Sequence, residues 1–448
     1  MACAFRLLSF VTAATVAVVG SVACGSRTGL FDLLPGGPSG SGDSGVRTFA
    51  DAGLSYVCPY TEGVQAGAPW PMSGHCPNQQ HLATAGSEVP NSAAWVVDAG
   101  SPDGSSGFGS ASIGADGMVY SSAGGFTRST LEARHGSGEM AWTFATDGFF
   151  ADPPALGPDG TLYAVSSAAQ GPTTTVHALD PQGRLVWSTS FSGDGNRFAP
   201  IVAPNGALLI TDSSALRALV GRDVAWAYTF PTNGTNPLGP PAVAPDGTIY
   251  VGVSGDPNLL AVDPAGNALW QFSIRTVDPR YELGADVFCS PAVGADGTIY
   301  VQSGLNSDAN DHSYTTVYAV SPGGDLLWSK DFGSAEMGGP GFGLAIAGDG
   351  SIVATSTYGA LASITASGAL AWTLDVGDTI ESAPAIAADG TIYAAGQYHS
   401  KLYAISPQGV LLWSRPIGVA GLYGSPALAA NGNVIVGSYD GILESVGR

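Results

Sequence analysis

The stretch PAVGADGTIYV, Pro291–Val301, decides the fold of this chain, because seven close variants of it occur elsewhere in the sequence. Each copy has a short apolar run, a tight turn of Asp or Asn followed by Gly, and a second apolar run. The turns lie 40 to 53 residues apart, which is the length of one four-stranded blade of a β-propeller. The eight turns begin at Asp116, Asp159, Asn205, Asp246, Asp296, Asp349, Asp389 and Asn431.

Residues 240–274, PPAVAPDGTIYVGVSGDPNLLAVDPAGNALWQFSI, contain one complete repeat. The Asp246-Gly247 dipeptide accepts the backbone of a tight hairpin turn, and Pro264 with Gly266 favours a second turn. β-Branched and aromatic residues alternate between the turns, as they do along strands. The repeat therefore predicts four antiparallel strands, Ala242–Ala244, Thr248–Val253, Leu259–Val262 and Ala268–Ile274.

A tryptophan recurs at the outer-strand position eight times along the chain, and Trp70 is the one tryptophan outside this series. Exposed tryptophans can stack on sugars or bases, but a residue repeated in one structural position favours packing between neighbouring blades. The eight repeated residues are Trp95, Trp142, Trp187, Trp226, Trp270, Trp328, Trp372 and Trp413.

The two ends of the repeat region complement each other. The last repeat ends at residues 438–446 and supplies three strands without a tryptophan, whereas Ala93–Val97 contains Trp95 and precedes the first repeat. We therefore expect the N-terminal strand to complete the eighth blade, which leaves no open edge at the junction. The predicted fold class is all-β, an eight-bladed β-propeller of four-stranded antiparallel blades.

Composition agrees with this fold and limits the function. Of the 448 residues, 45% are hydrophobic and 11% are charged, while 64 Gly and 30 Pro suit short strands and turns better than long helices. Fifteen basic residues against 36 acidic ones give a formal net charge of −21. This charge repels phosphate backbones and anionic headgroups, so we expect no nucleic-acid partner and no membrane contact except through an anchor.

Residues 1–23 have the pattern of a secretory signal, an uncharged apolar run that ends at Ala23. Ser21-Val22-Ala23-Cys24 resembles a bacterial lipobox, which implies a lipidated Cys24; a plain cleaved signal and an uncleaved anchor are the alternatives. Residues 24–50 are rich in Gly, Ser and Pro and are predicted to be a flexible tether. The absence of Asp at position 25 resembles outer-membrane lipoproteins, so we expect an exported protein at the outer membrane or cell surface, facing either the periplasm or the exterior.

Residues 51–91 form a lead-in segment that contains two cysteines. Cys58 and Cys76 lie 18 residues apart, and an exported chain meets an oxidising compartment, so we predict a disulfide between them. Cys289 precedes a predicted strand and is expected to be a buried apolar residue. His75, Cys76 and His81 match no standard zinc spacing, so no metal site is predicted.

The elements PAVxxDGTIYV and A(V/I)(D/S)PxGxxxW resemble the pyrroloquinoline-quinone (PQQ)-type repeat of eight-bladed propellers. The resemblance covers the chain from Ala93 onward, and residues 68–75, APWPMSGH, resemble the lead-in of exported proteins with these repeats. This family resemblance implies a disc with an axial channel over residues 92–448. It does not imply the cofactor.

Quinoprotein dehydrogenases share this fold and bind PQQ with a pair of adjacent cysteines, a calcium ion and a catalytic Asp. This chain has no Cys-Cys pair and lacks the long insertions that build that site. No catalytic, cofactor-binding or metal residue is therefore carried over, and no cofactor is expected. A second resemblance is to the lipoprotein propeller of the outer-membrane barrel-assembly machinery, which has eight blades, a lipid anchor and no chemistry.

Two insertions form the most polar part of the chain. Residues 275–288 join repeats 4 and 5, and residues 303–315 lie within repeat 5, both on the face with the longer loops. Insertions in repeat proteins often form the binding face, although solvated loops without a partner explain them equally well. The candidate binding residues are Arg275, Arg280, Tyr281, Glu282, Asp286, Asn306, Asp308, Asn310, Asp311, His312 and Tyr314.

These features favour a monomeric, non-enzymatic scaffold at the cell envelope that binds a protein or a glycan through its loop-rich face. Two alternatives stay open. One is a divergent quinoprotein-type dehydrogenase, or another enzyme that uses the channel mouth. The other is a component of outer-membrane protein assembly.

Overall fold

The computed structural model describes residues 64–66, 68, 70, 72–76, 79–83, 92–98, 107–125, 128–150, 152–168, 173–192, 198–230, 237, 239–255, 258–278, 280, 286–287, 290–305, 314–332 and 343–447. All of them lie in one compact unit that spans residues 48–448. The predicted signal, the lipidated Cys24 and the tether fall outside the described residues. Within the described ranges, no helix has the length and apolar character needed to span a bilayer.

Eight antiparallel sheets follow one another around a central axis, and each sheet is one blade. The first strand of a blade lies at the axis and the fourth at the rim. Because consecutive strands alternate in direction, the first-to-second and third-to-fourth turns share one face, here called the turn face. The second-to-third loops and the connections between blades share the opposite face, here called the loop face. The predicted eight-bladed fold is confirmed.

Strand β1, Ser92–Asp98, comes first in the chain and belongs to the last blade. Blades 1 to 4 contain β2 (Gly107–Ile113), β3 (Val119–Gly125), β4 (Arg128–Arg134), β5 (Met140–Ala145), β6 (Gly148–Phe150), β7 (Ala155–Leu156), β8 (Leu162–Ala168), β9 (Thr173–Leu179), β10 (Leu185–Ser192), β11 (Ile201–Val202), β12 (Leu208–Thr211), β13 (Ala215–Val220), β14 (Asp223–Thr229), β15 (Ala242–Val243), β16 (Ile249–Gly252), β17 (Leu259–Val262) and β18 (Ala268–Phe272).

A short helix, α1 (Ile274–Val277), follows β18. Blades 5 to 8 contain β19 (Asp286–Val287), β20 (Ala292–Val293), β21 (Ile299–Leu305), β22 (Tyr314–Val320), β23 (Leu326–Phe332), β24 (Leu344–Ile346), β25 (Ile352–Thr355), β26 (Ala360–Ile364), β27 (Leu370–Asp375), β28 (Ala385–Ile386), β29 (Ile392–Ala395), β30 (Lys401–Ile405), β31 (Leu411–Pro416), β32 (Ala427–Leu428), β33 (Val434–Gly437) and β34 (Ile442–Gly447). In blades 2 and 5 the short strands β6 and β19 add a fifth strand.

The fourth strand of blade 4 is shorter than the sequence predicts. It ends at Phe272 rather than Ile274. The backbone N–H of Ile274 donates to the Asn258 side-chain oxygen at 2.8 Å instead of continuing the ladder, and Ile274 begins α1. A side-chain acceptor thus ends this strand early.

The ring closes as the sequence predicts. β1 pairs antiparallel with β34, so that Trp95 lies opposite Ser445 and Val97 lies opposite Leu443. The eighth sheet has the order β1-β34-β33-β32. Strands from both ends of the repeat region therefore form one blade, which makes the ring a single cooperative unit.

The repeated tryptophans join neighbouring blades, which confirms the structural interpretation of the series. In six of them, the indole N–H donates to a backbone carbonyl in the third-to-fourth turn of the next blade, at 2.8 to 3.1 Å. The donors and acceptors are Trp95 and Gly136, Trp142 and Pro181, Trp226 and Pro264, Trp270 and Pro322, Trp328 and Ala366, and Trp372 and Pro407.

Candidate functional site

The lead-in occupies the axis at the end nearer the turn face. Its described part covers residues 64–83, with gaps at 67, 69, 71, 77 and 78. Trp70 exchanges two backbone hydrogen bonds with Ile113, the last residue of β2, at 2.6 and 3.3 Å. Further hydrogen bonds reach four other innermost strands, from Gln65 to Leu156 (3.2 Å), from the Gln80 side chain to Val293 (2.9 Å), from Ile346 to Gln80 (3.0 Å), and from Ile386 to His81 (2.9 Å).

The lead-in is tightly wound and almost entirely buried. His75, Gln79 and His81 have left-handed backbone conformations with φ of 67°, 60° and 55°, which non-glycine residues adopt only where the surroundings hold them. Burial lowers the pKa of His75 to about 4. Burial, with a smaller contribution from His75, lowers the pKa of His81 to about 3. Both imidazoles are therefore neutral at physiological pH.

The position of the lead-in is the largest feature that the sequence analysis missed. Trp70 and Met72 have 2% and 0% of their surface exposed, and they pack against the innermost strands of several blades. The sequence signal was present, since residues 70–83 carry no charge. Cys76 is buried and disulfide-bonded, but Cys58 lies outside the described residues, so its pairing with Cys76 stays a prediction, as does the state of Cys289.

A cavity of about 240 Å³ lies on the axis at the loop-face end, above the lead-in. We call it the axial cavity. Three lead-in side chains line it, together with residues in or just before the first strand of each blade. These include Ser73, Gln79 and His81 from the lead-in, and Ser110, Asp152, Phe198, Pro240, Ser290, Gly343, Glu381 and Tyr423 from blades 1 to 8 in order.

The axial cavity has an acidic lining. Asp152 is partly exposed and lines the cavity. Burial by the surrounding protein raises the pKa of its carboxyl to about 6, although a hydrogen bond from the Ala199 backbone opposes this shift. Burial also raises the pKa of Glu381, against a hydrogen bond from Gln397. No Lys or Arg is among the described residues that line the cavity.

This lining does not fit the cofactor of quinoproteins. PQQ carries carboxylate groups, and a site for it needs cationic or metal partners. In the axial cavity, carboxyl groups would face carboxylates instead, which is repulsive. Among the residues that the structure describes, no three or more His, Cys, Asp or Glu side chains gather as metal ligands.

A patch of exposed aromatic and apolar side chains lies on the loop face of blades 6 to 8. Two of its members, Tyr398 and Val419, are the most exposed large apolar residues that the structure describes, with 80% and 88% exposure. Tyr423 also lines the axial cavity, so the patch and the cavity mouth adjoin. The residues of this loop-face patch are Tyr358, Tyr398, Val419 and Tyr423.

The loop that contains Tyr398 is fixed by hydrogen bonds to a buried carboxylate. The buried carboxylate of Asp378 accepts hydrogen bonds from the backbone of Tyr398 and His399 at 2.9 and 3.0 Å. Its second oxygen accepts a hydrogen bond from the Tyr403 hydroxyl at 2.8 Å. Burial, followed by the Asp378 contact, raises the pKa of Tyr403. The backbone at Tyr398 is therefore fixed by a buried carboxylate.

Most of the candidate residues in the two insertions lie outside the described residues. This holds for Tyr281, Glu282, Asn306, Asp308, Asn310, Asp311 and His312. Asp286 lies in β19 opposite Gly304, and Tyr314 lies in β22 opposite Leu305. Their use in binding stays a prediction.

Two candidates in the first insertion are described. Arg275 is exposed on α1. Arg280 is held between two carboxylates, Asp278 and Asp331, at 2.6 and 2.7 Å. The Tyr318 hydroxyl also donates to Asp278 at 3.1 Å. Burial would raise the pKa of Asp278, but the hydrogen bonds and charge of Arg280 outweigh it and lower that pKa. Arg280 thus fixes the connection between blades 4 and 5.

The comparisons with known proteins agree with this architecture. A family model described as "Outer membrane protein assembly factor BamB" matches residues 127–308 and 313–446. No curated protein sequence matches the chain.

Several solved structures share the fold. A europium-containing methanol dehydrogenase superposes with a TM-score of 0.63 at 13% identity, over 83% of this chain and 89% of that chain. BamB from Moraxella catarrhalis superposes with a TM-score of 0.58 at 13% identity, over 80% and 99%. The computationally designed Ika8 protein gives a TM-score of 0.58 at 14% identity, over 78% and 98%.

Proposed function

The chain belongs to the family whose model is described as outer membrane protein assembly factor BamB, and we propose that it is a non-enzymatic scaffold of the cell envelope. In this proposal, its loop face binds a protein subunit of the outer-membrane assembly machinery. The observation that carries the proposal is the loop-face patch.

The loop-face patch has the properties of a protein-binding surface. Large aromatic side chains such as Tyr398 are enriched in interfaces and among the residues that dominate binding energy. Exposure of 80% for Tyr398 and 88% for Val419 leaves this apolar area available to a partner. Because Asp378 already fixes the backbone of Tyr398, little loop entropy is lost on binding.

The interior of the ring supports a scaffold better than an enzyme. The turn-face end of the axis is filled by the lead-in, and the remaining cavity has a lining that repels PQQ. A Ser–His contact does occur, between Ser166 and His177 at 2.8 Å. Both residues are buried, and His177 packs against Phe144 and Phe150, so a substrate has no access to them.

Export and lipidation belong to the same proposal. Cys24 would carry the lipid, and residues 24–50 would tether the ring to the outer membrane. Replacement of Cys24 by Ser tests this directly, because it removes the thiol that the lipid modifies. Radiolabelled palmitate should enter the wild-type protein and not the Cys24→Ser variant; labelling of both, or of neither, would remove the anchor from the proposal.

Photo-crosslinking from inside the patch tests the proposed partner. A photoreactive residue at Val419 should crosslink a barrel-assembly subunit in intact envelopes. The matched control is the same residue at Gln408, which is exposed on the turn face of the same blade. Equal crosslinking from both positions, or none to an assembly subunit, would contradict the proposal. A product that a glycosidase removes would assign a glycan instead.

A further inference from the structure

The axial cavity contains carboxyl groups without a counter-charge. Asp152 and Glu381 line it from blades 2 and 7, and no Lys or Arg is among its described lining residues. His81 on its floor stays neutral. Placing carboxylates in such an environment is costly unless they are paired with a cation and hydrogen-bond donors. The cavity therefore has the charge balance of a site whose positive group comes from elsewhere.

Two other side chains of the lining have polar atoms without a partner. The Nδ1 atom of His81 and the hydroxyl of Ser382 make no hydrogen bond to any described residue. Each residue has only 4% of its surface exposed. Both atoms can accept a hydrogen bond, and buried polar atoms are usually satisfied. The lining thus has two buried polar atoms that a hydrogen-bond donor of a ligand could satisfy.

The remaining lining agrees with a cationic ligand of small size. Phe198 and Tyr423 are part of it, and aromatic rings attract cations placed over their faces. The volume of about 240 Å³ lies below the roughly 300–1,000 Å³ of sites for drug-sized ligands. Because the lead-in fills the other end of the axis, a ligand enters from the loop face.

We infer that the axial cavity binds an organic cation with several N–H donors, a guanidinium or primary ammonium group, paired with Asp152 and Glu381. An anion would meet the repulsion described for PQQ. A guanidinium suits this site because its five donors can satisfy carboxylates and neutral acceptors together. The inference does not depend on the proposed protein partner.

The same group can come from a free small molecule or from an arginine side chain of another protein. Calorimetric titration of the purified full chain separates these sources with three probes. Ethylguanidinium represents the free cation, and acetyl-Gly-Arg-Gly-amide represents an arginine in a chain. Acetyl-Gly-citrulline-Gly-amide has nearly the same shape as the arginine peptide but no charge.

We expect ethylguanidinium or the arginine peptide to bind at least tenfold more tightly than the citrulline peptide. Binding of ethylguanidinium alone assigns the site to a free small molecule, and binding of the arginine peptide assigns it to a side chain. Equal binding of the arginine and citrulline peptides without ethylguanidinium binding would overturn the inference, as would no binding of any probe.

Variants locate the binding in the cavity. Asp152→Asn and Glu381→Gln should each weaken the best probe about tenfold, whereas Glu139→Gln, an exposed carboxylate on the turn face, should not change it. We expect Asp152→Asn to fold, because it removes a carboxyl whose burial is unfavourable, and urea unfolding verifies this. Tyr398→Ala should leave probe binding unchanged, so failure of the protein-binding proposal would not affect this result. Equal weakening by Glu139→Gln would place the cation elsewhere.

Discussion

Trp95 and Ser445 lie opposite each other in the antiparallel pair of β1 and β34. Trp95 also donates its indole N–H to the carbonyl of Gly136 in blade 1, at 2.8 Å. One residue thus belongs to the pairing that closes the ring and to the contact that joins the last blade to the first. Loss of its side chain removes the contact between the closing blade and blade 1.

We predict that Trp95→Ala lowers the free energy of unfolding by about 3 kcal/mol, since large aromatic residues replaced by Ala lose packing of that size. Trp95→Phe keeps a ring against blade 1 and removes the indole donor, so it should cost about 1 kcal/mol. Urea denaturation of the two variants measures both values. Losses below 1 kcal/mol for Trp95→Ala would contradict the role of this residue in closure.

Trp413 differs from the other tryptophans because it faces the closing blade. Its indole N–H is buried and has no hydrogen-bond partner among the described residues, whereas that of Trp372 donates to Pro407 at 2.8 Å. The acceptor is missing because no turn joins the third and fourth strands of blade 8, since β34 and β1 come from opposite ends of the repeat region. We predict that Trp372→Phe costs about 1 kcal/mol more than Trp413→Phe. Chemical denaturation of the pair tests this, and equal costs would be inconsistent with it.

In six of the third-to-fourth turns, a Cβ on the glycine would clash with the tryptophan of the preceding blade. Gly183 has φ of +79°, and a Cβ there would lie 2.4 Å from Trp142. Gly206 has nearly the same φ, +80°, but open space around it. Both Ala variants meet the left-handed strain of about 1–2 kcal/mol, and Gly183→Ala must also displace the indole. We predict a larger thermal destabilisation for Gly183→Ala; similar melting temperatures would show that the ring does not pack on this glycine.

The lead-in histidines make the protein sensitive to acid. The unfolded chain protonates them below about pH 6.5, but the folded protein does so only near pH 4 for His75 and pH 3 for His81. The unfolded state then binds more protons, so the free energy of unfolding falls as the pH falls from 6.5 towards 4. Asp152, with its pKa raised to about 6, has the opposite effect between about pH 6 and 3.8.

We therefore predict that His81→Gln reduces the loss of stability between pH 7 and pH 4 by roughly 3 kcal/mol. Urea denaturation at both pH values measures the difference. His135→Gln is the matched control, because His135 is exposed on the turn face. An unchanged pH dependence in His81→Gln would mean that the folded and unfolded chains protonate His81 at the same pH.

The architecture could be predicted because each blade repeats the same local signals. The Asp-Gly turn at Asp296 and the tryptophan position at Trp328 recur in register, and each has one structural solution. Ring closure could be predicted by counting tryptophans. The segment of β1 contains Trp95 but precedes the first repeat, whereas the last repeat, which ends in β34, lacks a tryptophan. The predicted end of β18 was wrong because the repeat pattern does not show that the Asn258 side chain accepts the Ile274 N–H.

The candidate site was less accessible to sequence reasoning. The lead-in does not contain the repeat, so nothing in the sequence says which strands it contacts. Trp70, the one tryptophan outside the repeated series, did indicate that the segment is buried. The sequence analysis did not find the loop-face patch because it searched for the longest insertions between strands. Tyr398 and Val419 lie in short loops, and only the ring geometry brings blades 7 and 8 together. Arg280 forms ion pairs with Asp278 and Asp331, which the sequence did not indicate, and its use in binding stays a prediction.

The affinity of the purified chain for a purified barrel-assembly subunit tests the central claim most directly. Tyr398→Ala combined with Val419→Ser should weaken the complex at least tenfold, which corresponds to about 1.4 kcal/mol. The control combines Val186→Ser with Val220→Ser, two exposed residues away from the loop face, and should stay within twofold of wild type. An unchanged Kd for the patch variant, or no complex with the wild-type chain, would contradict the assignment of the loop face as the binding surface.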